Sequence, residues 1–135
     1  MKIRIESNSF NSRQVSGVGY YSKLLAESLA EPSLNNDVRL FSFDFLKRQP
    51  ISKLKNTKNE IATWFPLKAY AKLISYGLPL PFDTPLSKVD LTIFPNFSKW
   101  PTVKSKVVAT VVHDLTYIYY PELVDSKNLA HLKRV

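Results

Sequence analysis

Lys106-Val-Val-Ala-Thr-Val-Val-His-Asp-Leu-Thr-Tyr-Ile-Tyr-Tyr-Pro-Glu122 is the stretch whose reading decides the fold. From Val107 to Val112 it is apolar and mostly β-branched, a composition suited to a strand buried on both faces of a parallel sheet. The run stops at a polar pair, His113-Asp114. Ligands of open α/β sheets bind just outside the carboxyl ends of the strands. The pair is therefore a candidate site, although a histidine in that position can equally serve to cap a loop.

Upstream, strand and helix signals alternate. Lys2-Ile-Arg-Ile-Glu6 has period two and reads as a first strand. Ser7 to Ser16 is polar loop. Tyr20, Tyr21, Leu24, Leu25 and Leu29 recur at helical spacing, which predicts a helix from Val18 to Glu31, stopped by Pro32 and turned at Asn35-Asn36. Val38 to Phe43 reads as a second strand. Asp44 to Glu60 is expected to be irregular. Leu67, Tyr70, Ala71 and Ile74 predict a helix from Pro66 to Tyr76 with Gly77 as its cap. Leu78-Pro-Leu-Pro-Phe-Asp-Thr-Pro85 is a proline-rich connector, because its prolines remove donors and fix φ. It is expected to pack on the surface or to contact a partner. Asp90 to Phe94 is a third strand and Lys106 to Val112 a fourth. Ser126 caps a last predicted helix from Lys127. This order implies an α/β fold, with a Rossmann-like parallel sheet, right-handed crossovers and flanking helices.

A chain of 135 residues with 44% apolar side chains can bury the core of one domain. With no cysteine and two histidines, thiolate sites and disulfides are excluded and no metal site is expected. Met1 to Glu6 alternates charge with isoleucine and does not read as a secretory leader. No window approaches the roughly 18 apolar residues of a spanning helix. The net charge of +8 favours an anionic partner. It is concentrated between Lys47 and Lys58, where Lys47, Arg48, Lys53, Lys55 and Lys58 occur without an acid. Phe45, Leu46, Trp64, Phe65 and Trp100 add aromatic and apolar groups suited to an anionic membrane surface or to base stacking. A solvated basic loop, with Trp64 or Phe65 in the core, explains the same residues.

Two further features bear on chemistry. Ser16-Gly-Val-Gly19 opens the first helix. Its glycines let backbone N–H groups approach a ligand, and a helix start favours negative charge, so Gly17, Val18 and Gly19 form a candidate phosphate cradle. The same glycines serve equally well as helix entry. No Gly-Lys-Ser/Thr follows, so this is not a Walker loop. A third glycine and a tight strand-to-helix turn are also lacking, which counts against a nicotinamide dehydrogenase despite Asp44 at the end of the second strand. No Gly-x-Ser-x-Gly elbow is present, which argues against a serine hydrolase. His113 could hydrogen-bond a sugar hydroxyl or a phosphate, or act as a base.

Taken in order, Lys2 to Glu6, Ser16-Gly-Val-Gly-Tyr-Tyr21, Ile93-Phe-Pro-Asn-Phe97 and Val111-Val-His-Asp-Leu-Thr-Tyr-Ile-Tyr-Tyr-Pro-Glu122 resemble the N-terminal domain of a GT-B glycosyltransferase of family 4. The resemblance implies an acceptor-side domain facing a second Rossmann-like domain that binds a nucleotide-activated sugar. It implies retaining transfer to a glycan or lipid-linked acceptor, as in cell-surface polysaccharide synthesis at the cytoplasmic face of a membrane. No cofactor or metal is implied, the nucleotide sugar being substrate. His113, with Asp114, would stand at the reacting centre. Gly17, Val18 and Gly19 would meet the donor diphosphate, and Asn96 and Tyr117 would contact the acceptor. Lys47, Arg48, Lys53, Lys55 and Lys58 would form a membrane or anion patch.

Two features depart from the family. Ser16 stands where that family often has the first glycine of Gly-Gly-x-Gly. Residues 1–135 would cover only part of the N-terminal domain, leaving out the donor domain and its Glu-x-Glu-type motif. The expectation is an incomplete N-terminal half of a GT-B architecture: a truncated frame, an excised piece, or one part of a split enzyme, inactive alone and possessing an open apolar sheet edge. The alternative is a non-catalytic module that binds an anionic membrane or nucleic acid.

Overall fold

Five strands form one parallel sheet in the computed structural model, which describes residues 1–11, 15–46, 53–62, 65–78, 80–126, 129 and 132. They are β1 (Lys2–Glu6), β2 (Asp37–Phe43), β3 (Thr57–Ala62), β4 (Val89–Phe94) and β5 (Ser105–Thr110), in spatial order β3-β2-β1-β4-β5. Every neighbouring pair is parallel, and Arg4 of the central strand stands opposite Arg39 on one side and Thr92 on the other. The helices are α1 (Gly17–Leu29), α2 (Leu67–Ser75) and the short α3 (Thr116–Tyr119), with 3₁₀ turns at Pro32–Leu34 and Pro121–Leu123. The fold is the Rossmann-like α/β arrangement that the alternation of elements predicts.

Period two in β1 divides the molecule into two layers. Ile3 and Ile5 point to one face and pack with Val38, Leu40, Ile93, Ala26 and Ala30. The small side chains at Ser22, Ala26 and Ala30 are the buried side of α1 and its end, and they let the helix lie close to the sheet. The other face carries an aromatic cluster of Phe41, Phe43, Tyr70, Phe82 and Phe94, with Trp100 against it. Tyr70 is the buried anchor of α2, and its hydroxyl donates to the Leu80 carbonyl at 2.6 Å. Gly77, at φ +82, ends that helix in the left-handed conformation that a side chain resists.

The structure corrects several expectations. Residues 57–62 form the edge strand β3, whose first four residues fall in the stretch to Glu60 that was expected to be irregular. Thr-Lys-Asn-Glu-Ile-Ala lacks an apolar alternation because its polar side chains find partners on β2 and beyond. The apolar run from Val107 to Val112 is not buried on both faces. Val107 is 59% exposed and Val112 41%, because β5 is the last strand and the packing of α1 is centred on β1 and β2. The proline-rich connector does not merely lie on the surface: Phe82 and Asp83 are fully buried. Trp64 lies outside the described residues, as does most of the predicted last helix; Leu129 N–H does donate to the Asp125 carbonyl at 2.8 Å, a helical bond.

A charged cluster fills the aromatic face toward the amino ends of the strands. The Arg4 guanidinium is 0% exposed. Its Nε donates to Glu60 Oε2 at 2.8 Å and its Nη2 to the Ser87 carbonyl, while Nη1 lies 3.5 Å from Asp83 Oδ2. Arg39 continues the cluster to Glu60 at 3.0 Å and to Asp37 at 2.8 Å. Asp83 also accepts the N–H groups of Val103 and Lys104 at 2.9 and 2.8 Å, and the Thr102 hydroxyl. One buried cation thus ties β1 to β3, to the connector before β4, and through Asp83 to the approach to β5. Removing one member of a buried charge cluster leaves another charge uncompensated. Arg4→Met is therefore expected to lower the unfolding free energy by about 3–5 kcal/mol in urea titration, and a loss below about 1 kcal/mol would show the cluster to be energetically idle.

Candidate functional site

The carboxyl ends of β4 and β5 bring together several of the residues singled out in the sequence. His113 follows β5, and its Nε2 lies 2.7 Å from the Pro95 carbonyl. A carbonyl only accepts, so Nε2 must carry the proton. The neutral ring then presents Nδ1 as an acceptor, and among the described residues Nδ1 has no hydrogen bond. Two rings hold the imidazole in place: Tyr21 meets it edge-on at 5.1 Å and Phe97 lies tilted at 5.5 Å. Phe97 adopts φ 40, a left-handed conformation that is costly for an aromatic residue. Tyr117, in α3, sets its ring against Phe97 at 6.4 Å. Asp114 Oδ1 accepts the Thr116 N–H at 2.9 Å and so holds the start of α3. In this arrangement His113 has a free functional atom, whereas Asp114 is engaged in local structure.

The glycine loop stands on the same side, since Tyr21 of α1 follows Gly19 by two residues. Ser16 caps the helix: its Oγ accepts the Gly19 N–H at 3.3 Å. That bond occupies one of the amides proposed for a phosphate. The amides of Gly17 and Val18 are without a hydrogen bond among the described residues, so they are the ones still able to meet an anion. Gly19 has a packing reason of its own. A Cβ there would lie 2.6 Å from the Ser9 carbonyl and 2.7 Å from a Val15 methyl, whereas one on Gly17 would meet open space. Gly19→Ala should therefore cost about 1–3 kcal/mol by overpacking. Gly17→Ala should be neutral or stabilise by up to about 1 kcal/mol, as expected for Ala over Gly in a helix. Thermal unfolding of the two variants separates the structural glycine from the one that is free to serve a ligand.

A second feature lies at the point where the strand order reverses, between β1 and β4. In open α/β sheets this is where the ligand crevice forms. Glu6, Asn8, Ser9, Leu67, Asn96, Ser98 and Trp100 line a hollow of about 200 Å³ there. Glu6, the last residue of β1, is only 5% exposed. Its Oε1 accepts the Asn8 N–H at 2.9 Å. Burial pushes this carboxyl from 4.5 up to about 7, against the smaller lowering effect of its hydrogen bonds with Asn8. Sequence reading missed Glu6 as a site because it completes the period-two pattern of β1 and looks like a solvent-facing charge. The available signal was its place at the carboxyl end of the first strand of a parallel sheet.

Of the residues of the expected basic patch, three are described. Lys47 and Arg48 lie outside the described residues. Lys58 belongs to β3 and pairs with Asp37 at 3.0 Å, because its strand aligns it with β2. Lys53 and Lys55 are exposed and share a hollow with Lys23, Glu27 and Glu31, next to the amino ends of the strands and the far end of α1. Carboxylates and cations are mixed there, at the opposite edge of the sheet from His113. Among the described residues no group of His, Asp and Glu could hold a metal ion, and no helix is long and apolar enough to cross a membrane.

Comparison with known protein families, curated proteins and solved structures finds no match to this chain.

The carboxyls predict an unusual pH profile. Unfolded Glu6 ionises near 4.5 while folded Glu6 keeps its proton to about 7. Between those values the unfolded chain binds fewer protons, so stability falls as pH rises. Asp37 and Glu60 act in the opposite sense. Hydrogen bonds from Arg39 and Lys58 hold Asp37 below its ordinary 3.8. Burial pushes Glu60 up, but hydrogen bonds from Ser87 and Arg4, with the Arg4 charge, outweigh it and hold the carboxyl below 4.5. Their contribution is lost as pH falls below those ordinary values. The melting temperature should peak at about pH 4–5. Glu6→Gln should flatten the decline from 4.5 to about 7 and leave the acid limb unchanged; an unaltered decline would mean that Glu6 is not its source.

Proposed function

We propose that this chain is the acceptor-side part of a retaining glycosyltransferase, which moves a sugar from a nucleotide-sugar donor to a glycan or lipid-linked acceptor at the cytoplasmic face of a membrane. The observation that supports it best is His113. It stands just beyond the carboxyl end of a parallel strand, with Nε2 committed to the Pro95 carbonyl and Nδ1 free. A neutral imidazole locked in that tautomer can accept a hydrogen bond from a sugar hydroxyl while staying uncharged. Tyr21 and Phe97 restrict the rotation of the ring, so little orientational freedom remains to be lost on binding. The amides of Gly17 and Val18, at the start of α1 on the same side, suit the diphosphate of such a donor. Asn96 and Tyr117, on the loops that follow β4 and β5, suit the acceptor. The order of these motifs along the chain, as read in the sequence, is the second support.

The chemistry asked of the residues is modest. Each orients a hydroxyl or a phosphate and none forms a covalent bond to the sugar. The test joins the chain to the donor domain of a family member and measures nucleotide-sugar turnover. His113→Ala should lower kcat/KM by about 100-fold or more, the scale of a lost contact to a reacting group. His113 is exposed, so circular dichroism should show an unchanged fold. Full activity in the variant would remove the role assigned to His113, and absence of any turnover in the parent fusion would remove the transferase reading.

A further inference from the structure

The hollow between β1 and β4 lies outside the residues assigned above, apart from Asn96. Its chemistry is specific enough to name a ligand class. Among the described residues no Lys, Arg or His lines it. A carboxyl in its wall disfavours phosphate and other anions. One carboxyl without a second acidic or imidazole ligand is also a poor cation site. What remains is a dense set of neutral hydrogen-bonding groups, from Asn8, Ser9, Asn96 and Ser98, around one carboxyl and one indole.

Two of the polar groups are held in the folded protein without a full set of partners. Glu6 accepts the Asn8 N–H on Oε1 and a further hydrogen bond from the Asn8 side chain, which leaves part of the carboxylate's roughly four acceptor positions open. The Ser9 hydroxyl is buried and, among the described residues, makes no hydrogen bond. Buried polar groups are ordinarily satisfied, and those that are not ask for an explanation. The walls are also rigid. Asn8 Oδ1 accepts the Phe43 N–H at 3.1 Å, which ties its side chain to β2. Trp100 packs edge-on against Tyr70 at 5.4 Å, which fixes the plane of the indole. A fixed aromatic face beside a carboxyl and side-chain amides matches a ligand with an apolar face and a rim of hydroxyls.

We propose that this hollow binds a neutral carbohydrate, with the Glu6 carboxylate receiving a sugar hydroxyl and Trp100 lying against the apolar face of the sugar ring. Its use as the acceptor subsite rests on the transferase reading; the binding itself does not. Asn96 joins this hollow to the His113 side, because it directly follows Pro95, whose carbonyl holds the imidazole. An acceptor seated on Glu6 would thus lie one residue away from the anchor of His113.

The test is an NMR titration of the full chain at pH 8, where Glu6 is ionised, with a panel of neutral sugars: glucose, galactose, mannose, their methyl glycosides and maltose. Inorganic phosphate and uridine diphosphate serve as anionic probes. At least one sugar should shift the Trp100 indole N–H and the Asn8 and Asn96 side-chain amides, while the anions leave them unmoved. Glu6→Gln and, separately, Asn96→Ala should each weaken that binding about tenfold, the scale of one hydrogen bond to a charged or polar group. Asn96 is exposed, so its variant keeps the test valid if Glu6→Gln disturbs the fold. The assignment is overturned if no sugar moves the Trp100 signal, if phosphate moves it equally well, or if both variants bind sugar as the parent does. Sugar binding here with no turnover in the fused enzyme keeps the hollow and removes the transferase reading. Turnover undiminished by Glu6→Gln, with Trp100 unmoved by any sugar, removes the hollow and keeps the transferase.

Discussion

One guanidinium, buried in the central strand, sets the terms for the rest of the molecule. A guanidinium charge removed from water is tolerated only with opposite charge and hydrogen bonds around it. The chain supplies them from three distant places: Glu60 on the edge strand, Ser87 before β4, and Asp83 in the proline-rich connector. Each supplier is thereby fixed in place. The edge strand β3 has a polar sequence with little apolar surface of its own, yet it aligns with β2 over its whole length. The connector, short of donors because of its prolines, is drawn inward until Phe82 stacks beneath the guanidinium, 5.8 Å from its centre. Asp83, once buried, must find donors, and it takes the amides of Val103 and Lys104 just ahead of β5.

The same strand carries the opposite case two residues later. Arg4 and Glu6 share a face of β1 and lie about 7 Å apart along it, by strand geometry. They do not pair. The guanidinium is turned toward partners near the amino ends of the strands, and Glu6 stands at the carboxyl end among Asn8, Ser9, Asn96 and Trp100. The buried guanidinium faces two carboxylates, Glu60 at 2.8 Å and Asp83 at 3.5 Å, and the buried carboxyl faces no cation among the described residues. An answered charge is a structural device. An unanswered one raises its own proton affinity and keeps an acceptor atom available. This contrast, within five residues, separates the part of the polar interior that holds the sheet together from the part that can receive something from outside.

Four of the five strands and both longer helices were legible from sequence, because period and punctuation report local physics: alternation in Lys2 to Glu6, helical spacing from Tyr20 to Leu29, and stops at Pro32 and Gly77. β3 was not legible, since its stability comes from Arg4, Arg39 and the β2 ladder rather than from its own side chains. The exposure of Val107 was not legible either. A valine run looks the same in a central strand and an edge strand, and strand order is a tertiary property. At the candidate site His113-Asp114 and the glycines stood out in the sequence, since a polar pair after an apolar run and paired glycines before a helix are local patterns, whereas Asn96 and Tyr117 entered only through the family resemblance. Which histidine nitrogen is free depends on the Pro95 carbonyl 18 residues away, that Gly19 is needed for space depends on where Ser9 and Val15 lie, and that Glu6 is buried depends on neighbours brought in by other elements. No pattern along the chain contains them.

Both features at the carboxyl ends of the strands depend on three residues, Pro95, Asn96 and Phe97. Pro95 lends its carbonyl to His113. Asn96 turns outward into the wall of the hollow that holds Glu6. Phe97 takes a left-handed backbone and places its ring between His113 and Tyr117. A turn this tight lets three consecutive residues serve different neighbours. Extended backbone would point Pro95 and Phe97 to the same face, and a helical turn would bury their carbonyls in its own bonds. The strain at Phe97, of the order of 1–3 kcal/mol for such a residue, is held by the ladder on either side: its N–H donates to the Val111 carbonyl at 3.3 Å, and the Val111 N–H donates to the Phe94 carbonyl at 2.9 Å. Pairing between β4 and β5 therefore maintains a turn that would not persist alone, and that turn keeps the imidazole and the carboxyl hollow at a fixed separation on one edge of the sheet.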